Sequence, residues 1–145
     1  MLNRVLTVCT GNICRSPLAE ALLRAYFASA GRPTEVISAG LGALIGHAAD
    51  ATTSEVAREH GVDLAAHRAQ QINLALVRQS DLVLVMERGQ LEHLVGQYTF
   101  ARGKTFLLGH WSQTEVPDPY RKPREVHQAV YDIIATEVGR WQGKL

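Results

Sequence analysis

The segment DLVLVME, residues 81 to 87, is apolar at five successive positions, Leu82 to Met86, and no other feature restricts the fold so sharply. A strand with one face in water alternates apolar and polar residues, so a short unbroken run marks a strand buried on both faces. Strands of that kind sit almost only in parallel sheets covered by helices on either side. The rest of the chain supplies the neighbours such a strand needs. RVLTV (4–8) and EVISAG (35–40) read as further strands and KTFLLG (104–109) as a fourth. Helical patterns alternate with them: PLAEALLRAYFASAG ending at Gly31, TTSEVAREHG (52–61) with a Thr cap and a glycine stop, a short helix over 73–79 capped by Asn73, and residues 88–96. From Glu125 onward Val126, Val130, Ile133, Ile134, Val138 and Trp141 form one apolar stripe, the core-facing side of a long helix.

This alternation predicts an α/β fold in three layers, a four-stranded parallel twisted sheet with helices on both faces and right-handed crossovers, Rossmann-like in outline. With 145 residues, 46% of them hydrophobic, the chain can build one core, and residues 1–145 are expected to form a single domain. A net charge of +1, with Lys and Arg scattered, argues against a general nucleic-acid binder and against a polybasic membrane patch. No stretch approaches the roughly 18 apolar residues of a membrane span, so no direct membrane insertion is expected. MLNRVLTVCTG reads as a first strand rather than a signal peptide, which makes the cytoplasm the expected location. Two cysteines, both in one loop, make neither a disulfide framework nor a four-ligand zinc site.

In open parallel sheets ligands collect at the carboxyl ends of the strands. The loop CTGNICRS, residues 9 to 16, leaves the first strand at that edge and enters the first helix. Ser16-Pro17 fits an N-cap followed by proline at the first helical position. The N–H groups of that helix start, joined by those of a loop containing Gly11, make an anion site. Cys9 then lies beside aligned N–H dipoles and the guanidinium of Arg15, surroundings that favour the nucleophilic thiolate. Arg15 can grip two oxygens of a phosphate at once. The five residues between Cys9 and Arg15 let the loop close around a tetrahedral dianion, the nucleophile below phosphorus and Arg15 beside it. Thiolate attack on a phosphate ester needs a proton donor for the leaving oxygen. Asp50, Glu87, Glu115 and Asp118 all fall near carboxyl ends of strands, and the pattern alone leaves the choice among them open. Asp118 lies in the long irregular segment HWSQTEVPDPYRKPR (110–124), between Pro117 and Pro119, with Tyr120 placed to wall an aromatic ring.

CTGNICRS, SAG (38–40) and DPY (118–120), in that order and spacing, make the chain resemble the low-molecular-weight protein tyrosine phosphatases over essentially its whole length. SAGLGALIGHAAD, GHW and DPYRKP are most similar to the bacterial subgroup paired with tyrosine autokinases in capsule or exopolysaccharide export. The resemblance implies that Cys9 becomes phosphocysteine and that Arg15 binds phosphate and stabilises the transition state. The backbone of Thr10, Gly11, Asn12, Ile13, Cys14 and Arg15 is implied as a ring of donors, and Asp118 as the acid that later activates water. It also implies that Asn12 holds the loop in shape, that Ser16 hydrogen-bonds the thiolate, and that His67 supports the loop from beneath. Cys14 is implied to trap an oxidised Cys9 as a disulfide. The implied partner is a phosphotyrosine protein, a membrane tyrosine autokinase, with the phosphatase a monomer or weak oligomer. The loop chemistry demands no metal and no cofactor.

Some positions depart from the family pattern or stay undecided. Gln70 precedes Gln71 where relatives often carry a basic residue, and Arg121 follows Tyr120 where some carry a second aromatic, making that wall more cationic. Leu41 and Leu44 either form the opposite apolar wall of a substrate cleft or cover the core. An arsenate reductase of the same fold needs relay cysteines downstream, and none follows Cys14. A phosphotyrosine-binding or redox-sensing module has no use for an acid braced by prolines. Hydrolysis of small phosphates in place of phosphoproteins remains open on sequence alone.

Overall fold

The computed structural model describes residues 2–145. Its elements run β1 Arg4–Cys9, α1 Arg15–Ser29, β2 Glu35–Gly40, α2 Ala51–Glu59, α3 Leu74–Gln79, β3 Leu82–Val85, α4 Arg88–Gln97, a 3-10 segment Thr99–Lys104, β4 Thr105–Leu107 and α5 Arg124–Gln142. The four strands form one parallel sheet in the order β2-β1-β3-β4, the α/β architecture expected from the buried run at residues 82–86. The chain moves outward from β1 in one direction and then crosses back to β3, so the order reverses between β1 and β3. That reversal is where ligands bind in sheets of this kind.

Strand alternation sorts the core into two faces. Val5 and Cys9 of β1 join Leu18, Leu23 and Phe27 of α1, Val56 and Ala57 of α2, and Val130, Ile134, Val138 and Trp141 of α5. Leu6 and Val8 point the other way, with Val83 and Val85 of β3, onto Val77 of α3 and Leu94 of α4. Burying one such aliphatic side chain fully is worth about 2 kcal/mol. Cys9 shares the parity of Val5 and Thr7, and so it faces the start of α1 rather than α4. On α5 the expected stripe is present, with Val126 and Ile133 only half-buried and with His127, Tyr131 and Glu137 buried beside it. No helix among the described residues is long and apolar enough to cross a membrane.

Three local expectations are corrected. α1 begins at Arg15, so Ser16 and Pro17 lie within its first turn and Ser16 is not its cap. The hydroxyl of Ser16 is engaged instead by the loop before it. α2 is capped by Asp50, whose carboxylate accepts from the Thr53 N–H at 3.0 Å, rather than by a threonine. β4 pairs only over Thr105–Leu107, because a 3-10 turn precedes it and the chain doubles back at Gly109. A Cβ at Gly109 would stand 1.9 Å from the carbonyl oxygen of Thr114, so this reversal admits glycine alone. The caps at Asn73, which accepts from Leu76 N–H, and the left-handed glycines at 31 and 61 are as expected.

Candidate active site

The loop after β1 turns its carbonyls outward one after another. Cys9, Thr10 and Gly11 oxygens accept from the N–H groups of Leu41, Gly42 and Leu44 at 2.9, 2.9 and 3.0 Å, and Ile13 oxygen accepts from Asp50 N–H at 2.8 Å. Asn12 oxygen accepts from His67 Nε2 at 2.6 Å. A carbonyl only accepts, so Nε2 of His67 carries the proton. With five successive carbonyls held outside, the N–H groups between them face inward, and those of residues 10–14 have no hydrogen-bond partner among the described residues. Concave runs of N–H groups bind anions. The segment 41–50 thus serves as a girdle, a function its glycine-rich composition did not disclose. It lies close enough that a Cβ at Gly40 would stand 2.5 Å from Thr10 oxygen.

Asn12 locks the ring. Its φ of 59° is left-handed, a region that asparagine tolerates better than most residues. Its Oδ1 accepts from Gln70 N–H at 2.9 Å, and its Nδ2 donates to Ser16 Oγ at 2.8 Å and Ser38 Oγ at 3.0 Å. Ser38 donates onward to the Glu20 carboxylate. Each donor in this chain fixes the next: Ser16 Oγ receives from Asn12, so its own proton is free to point at Cys9 Sγ, 2.9 Å away. Ser38 was visible only as part of SAG and Gln70 only as a departure from the family pattern, and Glu20 carried no sequence signal, since an isolated polar residue in a helix turn has no period to read.

Cys9 is 2% exposed and lies at the floor of a cavity of about 180 Å³ lined by Thr10, Gly11, Ile13, Cys14, Arg15 and, from facing loops, Gly42, Leu44, Asp118 and Tyr120. Arg15, also 2% exposed, donates from Nη1 to Val116 oxygen at 2.9 Å and pairs with Glu87 at 3.1 Å. Its Nη2 stands 3.9 Å from Asp118, whose side chain is 51% exposed. Glu87, one of the four candidate acids, is therefore the carboxylate that orients Arg15. Asp50 is taken up by the α2 cap and Glu115 by Arg88, whose N–H it accepts at 3.0 Å. Asp118 alone of the four lines the cavity. Its Oδ1 accepts from Tyr120 N–H at 3.0 Å, which sets the turn that brings Tyr120 to the wall. The apolar wall opposite is Leu44. Leu41 packs against the second core face, which corrects its placement in the cleft.

Cys14 lines the same cavity. Burial pushes its thiol up to about 12, against the pull of a hydrogen bond from Thr53. Behind it Thr53 Oγ1 bonds His127 Nδ1 at 2.9 Å, tying this side of the loop to α5. Both cysteines are free thiols.

A buried cysteine at the reversal point of a doubly wound sheet, in a loop whose N–H groups are left open to a cavity, is the arrangement of a cysteine-dependent phosphate-ester hydrolase. Residues 4–145 match the family described as low molecular weight phosphotyrosine protein phosphatase, and the chain belongs to it. It is 47% identical over 142 residues to the low molecular weight protein-tyrosine-phosphatase Wzb of Escherichia coli K12, covering 97% of this chain and 94% of that one. The crystal structure of tyrosine phosphatase AmsI from Erwinia amylovora superposes with a TM-score of 0.94 at 44% identity, covering 100% of this chain and 94% of that one. Vibrio vulnificus Wzb in complex with benzylphosphonate follows with a TM-score of 0.93 at 43% identity, covering 99% of each chain.

Proposed function

We propose that residues 1–145 act as one phosphatase domain in which Cys9, Arg15 and Asp118 hydrolyse phosphotyrosine in two steps. Cys9 sulfur attacks phosphorus while the bond to the tyrosine oxygen breaks, and Asp118 gives that oxygen its proton. A water then loses a proton to Asp118 and attacks phosphorus, and the sulfur–phosphorus bond breaks to release phosphate. Arg15 and the inward N–H groups of residues 10–15 stabilise the equatorial oxygens in both transition states. The Ser16 hydroxyl stabilises the departing thiolate in the second. The observation that carries this reading is the loop with its five carbonyls turned out above a buried cysteine.

Leu44 and Tyr120 flank the cavity as apolar walls for an aryl ring. Vibrio vulnificus Wzb is solved in complex with benzylphosphonate, an aryl-methyl phosphonate, which supports an aryl phosphate as the ligand here. We take the natural substrate to be a tyrosine-phosphorylated protein, a membrane tyrosine autokinase of exopolysaccharide or capsule export. The phosphatase then works in the cytoplasm, as a monomer or weak oligomer. The subgroup likeness of SAGLGALIGHAAD and DPYRKP supports this assignment.

The test is turnover of para-nitrophenyl phosphate and a phosphotyrosine peptide with EDTA present, wild type against Cys9→Ser. Loss in the variant of at least about 10⁴-fold, the scale of a removed nucleophile, with inorganic phosphate still bound, is the expected result. Wild-type activity on neither substrate overturns the reading in favour of a binding module.

A further inference from the structure

Gln90 is the third residue of α4 and is buried. Its Oε1 accepts from the N–H groups of Met86 and Glu87, 3.0 Å each, where β3 ends and the helix begins. This is the reach-back half of a helix-capping arrangement, and a glutamate would serve it as well as a glutamine. The amide nitrogen does something capping does not require. With Oε1 fixed on β3, Nε2 faces the adjoining end of β1 and donates to Thr10 Oγ1 at 3.1 Å. β1 and β3 are neighbours, so the residue after Cys9 and the residue that holds Arg15 emerge side by side. One buried amide spans them: its oxygen holds Glu87, which grips Arg15, and its nitrogen holds Thr10. Thr10 is the exposed member of the loop, and its hydroxyl makes no other hydrogen bond among the described residues.

We propose that Gln90 is a positioning residue for the phosphatase reaction, holding Thr10 in register with Glu87 and Arg15 so that the first donors of the phosphate ring stay aimed at the ligand. This rests on the reading of the loop as a phosphate site and extends the machinery to a side chain outside it. Gln90 touches neither substrate nor nucleophile, and its effect passes through Thr10 oxygen on one side and Glu87 on the other.

Four variants decide it: Thr10→Val, Thr10→Ser, Gln90→Leu and the Thr10→Val/Gln90→Leu double variant. Each is measured for KM and kcat on para-nitrophenyl phosphate, for the inhibition constant of inorganic phosphate, and for melting temperature. Thr10→Val removes the acceptor and leaves the α4 cap intact. Phosphate affinity is expected to weaken about three- to tenfold, the value of one hydrogen bond, with KM following it, kcat moving less and melting unchanged. Thr10→Ser regains most of that affinity. In the Gln90→Leu background Thr10→Val adds nothing further. Additive losses, a wild-type phosphate constant in Thr10→Val, or failure of serine to rescue each overturn the inference. If Gln90→Leu does not fold, the valine and serine pair decides alone. Phosphate affinity is also read by calorimetry without turnover. A wild type that binds phosphate but releases no product therefore sinks the phosphatase reading while the affinity cycle still judges Gln90.

Discussion

The two ends of the sheet are finished in opposite ways. At the amino end, charged side chains close on the protein itself. The Asp81 carboxylate takes the N–H groups of Asn3 and Arg4 at 2.7 and 3.0 Å, and Lys104 Nζ donates to the carbonyls of Val77 and Ser80 at 2.7 and 2.6 Å. At the carboxyl end, side chains and the girdle close on the loop's carbonyls and leave its N–H groups facing a cavity. Stability asks that polar groups be matched within the chain, whereas catalysis asks that one chosen set be left for a ligand. The carboxyl end can leave its donors open because Asn12, His67, Ser38 and Gln70 determine the loop from behind.

Removing the acid should hurt most on that open end. Asp118→Ala is expected to slow phosphotyrosine hydrolysis by about 10² to 10³-fold, within the range for a lost general acid. Para-nitrophenyl phosphate, whose leaving oxygen needs no proton, should suffer much less. Equal losses on both substrates would show that Asp118 acts by charge or shape and not as the proton donor.

A smaller but broader effect belongs to Asn12. Asn12→Ala unmakes two buried hydrogen bonds and one part-buried one, and puts a left-handed φ on a residue that resists it. A stability loss of about 2–3 kcal/mol is expected in denaturant titration, together with weaker phosphate binding. An unchanged phosphate constant would mean that the ring keeps its shape without its lock.

The two cysteines test the contrast inside the loop itself. A thiol held at about 12 is almost wholly protonated near neutrality, and its thiolate fraction grows tenfold with each pH unit until that value is reached. Iodoacetamide should therefore label Cys14 slowly at pH 7 and faster with rising pH, whereas any labelling of Cys9, at the floor of the cavity, should be blocked by phosphate. By the same sign, the Cys9–Cys14 bridge expected after mild peroxide should form more completely at pH 9 than at pH 7, read as activity regained with a thiol reductant. Irreversible inactivation at both pH values would remove Cys14 from any protective part.

The smallest effect lies at the amino end. The N–H groups of Asn3 and then Arg4 hold the Asp81 carboxyl below its usual 3.8. A carboxylate lowered in the folded state adds stability that is complete above the ordinary value and disappears as pH falls through the folded one. Asp81→Ala should cost about 0.5–1 kcal/mol at pH 7, modest because the carboxylate is exposed, and the gap to wild type should close below pH 3.8. Its kcat should equal that of the wild type, and a change there would show that the two ends are coupled.

The fold was legible where apolar residues repeat, in β3, in β1 and along α5, because burial imposes a period on sequence. The anion loop was legible because Cys9, Gly11 and Arg15 are chemically distinctive and stand between a strand and a helix. Ser16 was misread as a cap because a hydroxyl at a helix start serves a cap or a thiolate equally well, and only the position of Asn12 decides. Asp50 and its neighbouring threonines are all good caps, so α2 was placed slightly late. Leu41 and Leu44 could not be separated, since a loop without period gives no side-chain direction. Glu87 was seen as an acid, but its hold on Arg15 depends on α1 and β3 meeting in space, which no local pattern records.

Arg15 carries one further consequence. Its Nη1 holds the carbonyl of Val116, two residues before Asp118. The guanidinium proposed to bind phosphate is thus also the pin on which the loop bearing Asp118 is hung. In the proposed reaction, the side chain that binds the dianion and the loop that delivers the proton are joined by this one hydrogen bond, so a substitution at Arg15 is expected to disturb both the binding of phosphate and the placement of Asp118.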